Sequence, residues 1–572
     1  MRLAGFHVEN FKSIGPSGCL IRIDRIVVLI GRNNAGKSTI LDAYEALASS
    51  GKELGLSHFH NQDPSVPIVI TGYFDQVTPE DEERIGRGWQ YPHPEFGTCI
   101  AFRYVWRAPD ERARKQSYNP GLGDFDDGGL GGFDSMIMSR IPQPVRIRPT
   151  DPTDTTQARL LAMLKEHVKL SLKADAGQTQ AAFDQIEQLA REIFDSTRQS
   201  FDELSARITR QVGEVFPGTT IELIPRSKDA LDEKLIAADS YLQVTHGGTS
   251  PLELQGTGLQ RALLWSTLSV MSSGGARRKA LEPDAPRILL IDEPEAFLHP
   301  PTIRAARDAL YAFALQNPDW QVIATTHSPI FIDLSKDHTT IIRVDNAPGA
   351  ARHAVSTDKV SFDAQERERL KMIRACNPVV NEFFFHDDIV LVEGATEQIA
   401  LLHVARGMGR EVHVINCLGK ANLPMFARIL NHFRVPYAVL HDADTRFVRG
   451  AKGYQRNAMW TMNACIRVAV SAAAIGRIHV QFPHFEGEYF GEAMKAGKVD
   501  RVLRALDDPD SEDFQRIVAA LVPILAGEAA GQTTQPAFDR KLDAYLTQRV
   551  SPGDPLWYQP DLQAAELDEA GG

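Results

Sequence analysis

The sequence predicts an α/β protein of two unlike parts, and three observations carry that expectation. Near the start, the apolar run "VVLI" passes through "GRNNAGKST" into a helical pattern. Two later apolar runs, "RILLIDEPE" and "WQVIATTHSP", return the chain to alternating strands and helices. After residue 385 the texture is "DIVLVEG", "TEQIALLHVARGMG", "EVHVINCLG", "LPMFARILNHF" and "YAVLHDAD", which predicts a small parallel sheet flanked by helices.

At 572 residues the chain exceeds what one hydrophobic core supports, so two to four domains are expected. The first part, residues 1–154, is rich in strand-like runs: "LAGFHVENF", "CLIRIDRIVVLIG", "PIVITGYFDQV". Its Gly- and Asp-rich stretch 119–136 reads as a long surface loop. Residues 155–213 recur with apolar positions three and four apart and no proline, the pattern of a helical hairpin or small bundle inserted between two β-rich halves. The α/β pattern resumes over 214–370. A polar connector leads to the C-terminal domain, expected over 385–572.

Composition narrows the class. Five scattered cysteines (Cys19, Cys99, Cys376, Cys417, Cys465) form no CxxC, which fits a reducing compartment and opposes a structural zinc built on thiolates. The N-terminus lacks the apolar core of a signal peptide, and no run of about 18 apolar residues occurs, so a cytoplasmic protein without membrane contact is expected. A net charge of −12 weighs against indiscriminate coating of nucleic acid. It hardly touches an enzyme that uses carboxylates to hold cations.

"GRNNAGKS" is a GxxxxGKS phosphate loop in its required place between strand and helix. Gly31 and Gly36 let the backbone curl so that N–H groups face phosphate oxygens. Lys37 is expected at the β- and γ-phosphates of ATP and Ser38 on Mg2+, with Asn34 and Thr39 completing the loop. Asp292, at the end of "RILLID", is expected near that Mg2+. Glu293 is expected to orient the attacking water.

Two more elements refine the reading. "LELQGTGLQRALLWSTL" (252–268) is a glycine-rich turn entering a helix, and "QVIATTHSP" is a strand ending in His327. The order of phosphate loop, long insertion, glycine-rich signature, Asp–Glu strand and strand-end histidine resembles the ABC-type heads of the SMC/RecF group. The resemblance implies a homodimer or higher oligomer through these heads, with the signature of one subunit capping the γ-phosphate held by the other. Gly256 and Gly258 then allow close approach across the dimer, and His327 senses the γ-phosphate. The inserted helices are the expected dimerisation element.

The C-terminal part carries a second acidic set. Glu393 follows an apolar strand, and Glu397 lies one helical turn on. Asp442 and Asp444 end the next motif strand, where strand alternation is expected to turn both to one side of the sheet. In a parallel sheet the strand C-termini line one edge, the edge where ligands bind. These four carboxylates are therefore expected to form a hard-cation site. His441 and His484 stand beside acidic residues and are read as hydrogen-bonding groups, and Lys420 as a candidate phosphate contact.

The strand with Glu-Gly followed by a strand with Asp-x-Asp resembles the Toprim domain of topoisomerases, primases and certain nucleases. A Toprim domain behind an ABC/RecF-like ATPase resembles the OLD (overcoming lysogenisation defect) family of nucleases, which includes the nuclease subunit of the Gabija anti-phage system. That resemblance covers essentially the whole chain. It implies two metal ions, Mg2+ or Mn2+, on Glu393, Glu397, Asp442 and Asp444, with one further Mg2+ at the ATP. It also implies a third acidic element in "FPHFEGEYFGE", Glu486 first and Glu488 second, and a catalytic lysine matched by Lys541.

The implied function is an ATP-hydrolysing, metal-dependent DNA endonuclease acting against phage or other foreign DNA. A helicase partner encoded nearby is a further implication. The alternative is an ATP-switched DNA clamp or repair ATPase with a non-catalytic Toprim domain. Topoisomerase chemistry lacks a recognisable tyrosine-bearing gate domain, and primase chemistry lacks its zinc-binding cysteines.

Overall fold

The computed structural model describes residues 1–31, 33–127, 137–148, 202–224, 241–245, 248–256, 258–260, 262–263, 286–332, 339–344, 354–356, 378–386, 388–451, 453–491, 497–527 and 532–559. Nearly all of the expected helical insertion, most of the connector and the last residues of the chain lie outside these. Of the insertion, residues 202–213 are described and helical, and that helix runs on to residue 215. The chain divides into two compact units, Met1–Asp358 and Lys359–Gly572.

The first unit begins with β1 (Arg2–Glu9), β2 (Cys19–Arg22) and β3 (Ile26–Ile30), followed by α1 (Lys37–Leu47) and β4 (Ile68–Asp75). Next come α2 (Pro79–Ile85), β5 (Tyr91–His93), β6 (Gly97–Trp106), β7 (Arg114–Asn119), β8 (Asp124–Asp127) and β9 (Gln143–Ile147). A small antiparallel sheet contains β10 (Thr220–Ile224), β11 (Tyr241–Thr245) and β12 (Thr249–Pro251). The unit ends with β13 (Arg287–Asp292), α3 (Pro300–Gln316), β14 (Trp320–Thr325), β15 (Thr339–Val344) and β16 (Ala354–Ser356).

Two larger sheets result. One is antiparallel, in the order β2-β1-β4-β6-β7-β8 with β5 beside β6. The other runs β16-β15-β3-β14-β13-β9 and is parallel except at its β16 edge. Each residue of β3, "IVVLI", is buried, as a strand covered on both faces requires. Helix α1 offers Ile40, Leu41, Ala43, Tyr44 and Leu47 to a core shared with Leu3, Phe6 and Phe102 of one sheet and Val27, Leu290 and Ile323 of the other. The phosphate loop is thereby wedged between the sheets. Of the stretch 119–136 expected as a single surface loop, residues 119–127 form part of a hairpin and the rest lies outside the described residues. Asn119 to Asp124 close β7 onto β8, because Gly123 takes the left-handed conformation (φ +71°) the turn needs.

The second unit contains β17 (Ile389–Val392), α4 (Ala395–Gly407), β18 (His413–Asn416), α5 (Leu423–His432) and β19 (Tyr437–Asp442). After a hairpin of β20 (Phe447–Gly450) and β21 (Gly453–Arg456) come α6 (Ala458–Ser471), β22 (Gly476–Gln481) and α7 (Phe485–Tyr489). Helices α8 (Lys498–Leu506), α9 (Glu512–Ala526) and α10 (Gln535–Arg549) close the unit. Its parallel sheet has the order β18-β17-β19-β22. Alternation sorts the side chains: Val390, Val392, Ala438 and Leu440 join one core with Leu401, Val404, Ile517 and Leu521. Leu391 and Val439 are buried on the other face, where α5 and α6 lie against the sheet.

This order sets the site. The chain goes from β17 outward to β18, then crosses back to place β19 on the opposite flank of β17. The C-terminal edge between β17 and β19 is therefore the topological switch point, where adjoining loops diverge and leave a crevice.

Candidate nucleotide site and acidic metal centre

At the phosphate loop, Gly31 (φ +141°) and Gly36 (φ +100°) adopt backbone conformations that side chains disfavour. A Cβ on Gly31 would stand 2.3 Å from the Val344 carbonyl oxygen. Asn34 is also left-handed (φ +62°), and Thr39 is nearly buried in the first turn of α1. Lys37 is buried and donates to the Gly31 carbonyl at 2.8 Å. Burial draws its amine down to about 8, against the opposing charges of Glu293, Glu295 and Asp292. Ser38 Oγ donates to Asp292 Oδ1 at 3.0 Å, so the two expected Mg2+ groups are brought together across 254 residues.

The neighbouring strand ends complete this site. Glu293 sits in a left-handed conformation (φ +46°), and His327 Nε2 lies 3.3 Å from its Oε1. Burial, then the Lys37 charge, lowers the His327 pKa against the pull of Glu293, so the ring is neutral near pH 7. Two participants escaped the sequence reading. Glu295 accepts from the His327 N–H (2.7 Å) and Thr326 Oγ1 (2.8 Å), and burial pushes its carboxyl up. Arg146, on β9, pairs with Asp292 and reaches Asp42 at 3.3 Å. Glu295 stood within the quoted "DEPE", but Arg146 had no motif to mark it.

The signature glycines differ from each other. A Cβ on Gly258 would meet Leu298 Cδ2 at 2.6 Å and the Phe297 carbonyl oxygen at 3.0 Å. The close approach it permits is thus to its own chain. A Cβ on Gly256 would meet nothing within 4 Å among the described residues.

In the second unit, Glu393 follows β17 and accepts the backbone N–H of Asp442 at 2.8 Å. Glu397 lies buried in the first turn of α4. Asp442 Oδ1 accepts the N–H of Phe485, which starts α7, at 2.9 Å. Glu486 follows on that helix, almost wholly buried. Asp444 reaches the group by another route than the strand alternation expected of it. Strand β19 stops at Asp442, and Asp444 stands beyond it in a left-handed turn (φ +64°) that Asp tolerates. Lys420 fixes this turn. Its buried amine donates to the Asp442 carbonyl and to Asp444 Oδ2 (2.7 Å). Lys420 is therefore a brace beneath the acidic residues, and the phosphate contact expected of it has no exposed amine to make it.

The electrostatics are those of carboxylates crowded out of water. Burial, then the charges of Glu393, Glu397, Asp444 and Glu486, push Asp442 well up. Burial raises Glu393 to about 7, against Lys420 and the Asp442 N–H, with Asp444 and Glu397 adding to the rise. Burial also raises Glu397. Glu486 is the exception: burial works to raise it, yet His484 and Lys498 outweigh that and hold it below its usual range. Lys498 Nζ is 2.9 Å from Glu486 Oε1. Among the described residues Glu486 Oε2 is buried without a hydrogen bond: His484 Nδ1 lies 3.1 Å from it but accepts the Gly487 N–H at 3.0 Å. A buried carboxylate oxygen with no donor, beside mutually repelling carboxylates, is the donor set of a hard divalent cation. The residues present fit such a metal.

The remaining expected residues sit differently. Glu488 accepts the Phe482 N–H at 2.5 Å, and its Oε1 is 3.9 Å from Lys541. Lys541 is half-exposed and donates to the Val480 carbonyl at 3.2 Å. These two form a pair on the β22 side, while Lys498, besides the brace Lys420, is in contact with a carboxylate of the cluster. No motif announced it, since it lies on α8 beyond the acidic stretch. Burial holds His441 down to about 3, and its Nδ1 engages the Asp442 carbonyl, so it serves as a neutral structural group.

Comparison with known proteins bears on both sites. The family model described as AAA ATPase domain matches residues 1–119 and 153–332, together more than half of the chain. That described as overcoming lysogenization defect protein-like, TOPRIM domain matches residues 384–444, the span that holds Glu393, Glu397, Asp442 and Asp444. The chain belongs to the AAA ATPase domain family, in its OLD-type form with a TOPRIM domain behind the ATPase. This OLD-type chain is 22% identical to the Old nuclease of Escherichia phage P2 over 78% of its own length and 77% of that protein's. It is 24% identical to the OLD nuclease of Thermus scotoductus over 77% of its length and 82% of that protein's. Among solved structures, an Smc head bound to the C-winged helix domain of ScpA overlaps 64% of the chain and 99% of its own, at 17% identity and a TM-score of 0.43. The overlap is loose, and the ATPase fold rests on the family match and the strand order above. No helix among the described residues is long and apolar enough to cross a membrane.

Proposed function

We propose that this OLD-type protein is an ATP-hydrolysing DNA endonuclease that depends on Mg2+ or Mn2+, works in the cytoplasm as a homodimer or higher oligomer through its ATPase heads, and defends the cell against phage or other foreign DNA. The names of both relatives support the nuclease reading. The observation that carries it is the gathering of Glu393, Glu397, Asp442, Asp444 and Glu486 at one switch-point crevice, with Glu486 Oε2 left without a donor.

Glu393, Glu397, Asp442, Asp444 and Glu486 would hold two metal ions. Bound metals supply a water nucleophile at neutral pH and charge neutralisation at the phosphodiester. Lys420 and the N–H of Phe485 keep the Asp-x-Asp turn rigid, which fixes where these carboxylates present their oxygens. Lys541, on its half-exposed helix, is the cation proposed to meet the developing charge on the phosphate.

In the ATPase unit, Lys37 and Ser38 hold the nucleotide phosphates and Mg2+, Asp292 sits against that Mg2+, Glu293 orients water, and neutral His327 reads the γ-phosphate. A helicase partner encoded nearby belongs to the same proposal. Plasmid nicking with Mg2+ or Mn2+ tests the reading. Cleavage by the native chain and its loss in the Glu393→Ala, Asp442→Ala double variant are expected; full activity of the double variant would refute it.

A further inference from the structure

Glu382, His386 and His413, in the second unit but outside its carboxylate centre, each offer one ligand atom, all within 4.8 Å of one another. We propose that these three residues form a binding site for a borderline divalent transition metal of the zinc type, distinct from the carboxylate centre.

The donor set argues for that class. Two imidazole nitrogens and one carboxylate oxygen suit Zn2+, Co2+ or Ni2+, whereas Mg2+ and Ca2+ take oxygen ligands almost throughout. The imidazole rings of His386 and His413 are stacked, with centroids 4.6 Å apart and planes within 5°. Among the described residues His413 Nε2 is buried without a hydrogen-bond partner, an uncompensated polar atom that a metal bond satisfies.

The elements hold the donors in place. Glu382 belongs to the 3-10 helical segment Pro378–Phe385, and His386 follows it. Buried Phe383 and Phe384 anchor the segment, Phe384 packing edge-on against Phe433 at 5.0 Å. His413 opens β18. It pairs with Ile389 at the entry end of the parallel strands, whereas Glu393 leaves from the opposite end. The two centres therefore sit at opposite edges of one sheet. Metal bonds of about 2.0–2.2 Å bring ligand atoms closer than 4.8 Å, so a turn of each ring about Cβ–Cγ accompanies binding. Asp388, two residues beyond His386, is engaged by Arg410 at 2.6 Å and is not counted among the ligands; Asp387 between them lies outside the described residues. The physical effect of occupancy is to staple the segment before β17 to the edge strand of its sheet.

Zn2+ titration of the chelator-stripped full chain, in competition with a chromophoric chelator, tests the proposal, with Co2+ absorption as a second readout. The expected result is one tight site that persists in the Glu393→Ala, Asp442→Ala double variant. It should weaken by more than ~100-fold in His386→Ala and in His413→Ala, since even supporting residues of metal sites cost ~10–100-fold. Glu382→Gln, the least disruptive substitution, should weaken it measurably and change the Co2+ bands. A tight site unchanged by Glu382→Gln or His386→Ala, or one lost only with the carboxylate variants, would overturn it.

Discussion

The backbone N–H of Asp442 donates to Glu393 Oε1 at 2.8 Å, tying together the ends of the two central strands of the C-terminal sheet. One carboxylate oxygen of Glu393 thus serves the fold, while burial and the charges of Asp444 and Glu397 disfavour its own charge. Glu393→Gln keeps an acceptor for that N–H and removes a buried charge. In chelator its melting temperature should equal or exceed that of the native chain. In Mn2+ the order should reverse, because only the native cluster gains binding energy from the metal. Thermal melts with and without Mn2+ make the comparison; an equal Mn2+ shift in both proteins would contradict it.

Acidity gives a second expectation. The Glu393 carboxyl titrates near 7 in the folded metal-free chain, against 4.5 as its ordinary value. The folded state therefore binds more protons than the unfolded state between these values. The stabilisation is full below about 4.5 and is lost as pH rises to about 7. Binding of Mn2+ must displace that proton, so apparent affinity should rise with pH up to about 7 and then level. Calorimetry in buffers of unlike ionisation enthalpy should detect proton release at pH 6 and less at pH 8.

Much of this could be read from the sequence, for identifiable reasons. GxxxxGKS and the strand-end Asp292 carry local signatures, and the structure joins them through Ser38. Glu393, Glu397 and Asp442 were legible because strand ends of a parallel sheet share an edge. Contacts between distant stretches without a motif were not. Arg146 on Asp292, Lys420 beneath Asp444 and Lys498 on Glu486 are single cations whose role appears only when the chain is folded. Asp444 was found for the wrong reason, since a left-handed turn presents it and not the strand period. The β8 half of the β7–β8 hairpin was hidden by its own composition, because Asp and Gly favour turns even where a short strand forms.

Lys498 and Lys541 should separate by experiment. Lys498 touches Glu486, so Lys498→Ala should alter Mn2+ affinity and the Mn2+ concentration needed for cleavage. Lys541 donates to Val480 and lies 3.9 Å from Glu488, so Lys541→Ala should lower the cleavage rate at saturating Mn2+ and leave Mn2+ affinity unchanged. Rate against metal concentration distinguishes the two.

The signature glycines should also diverge. Gly258→Ala drives a methyl into Leu298 and the Phe297 carbonyl, and overpacking of this kind costs about 1–3 kcal/mol, visible in a denaturant melt. Gly256→Ala adds its methyl to open space and should leave the melt unchanged. Under the proposed dimer its effect should appear instead in ATP turnover.

In the ATPase unit, Glu293→Gln should preserve ATP binding and reduce hydrolysis by ~10²–10⁴-fold, the range for loss of a positioned acid–base group. Lys37→Ala should abolish binding itself. Nucleotide binding by fluorescence and phosphate release measured on the same preparations separate these effects.

The central claim is that the carboxylates of the second unit hold divalent cations, and counting bound Mn2+ by electron paramagnetic resonance, without nucleotide, tests it most directly. The native chain should bind two Mn2+ per subunit, and both should be lost in the Glu393→Gln, Asp442→Asn double variant. A native chain that binds none, or a variant that keeps both, would contradict the account.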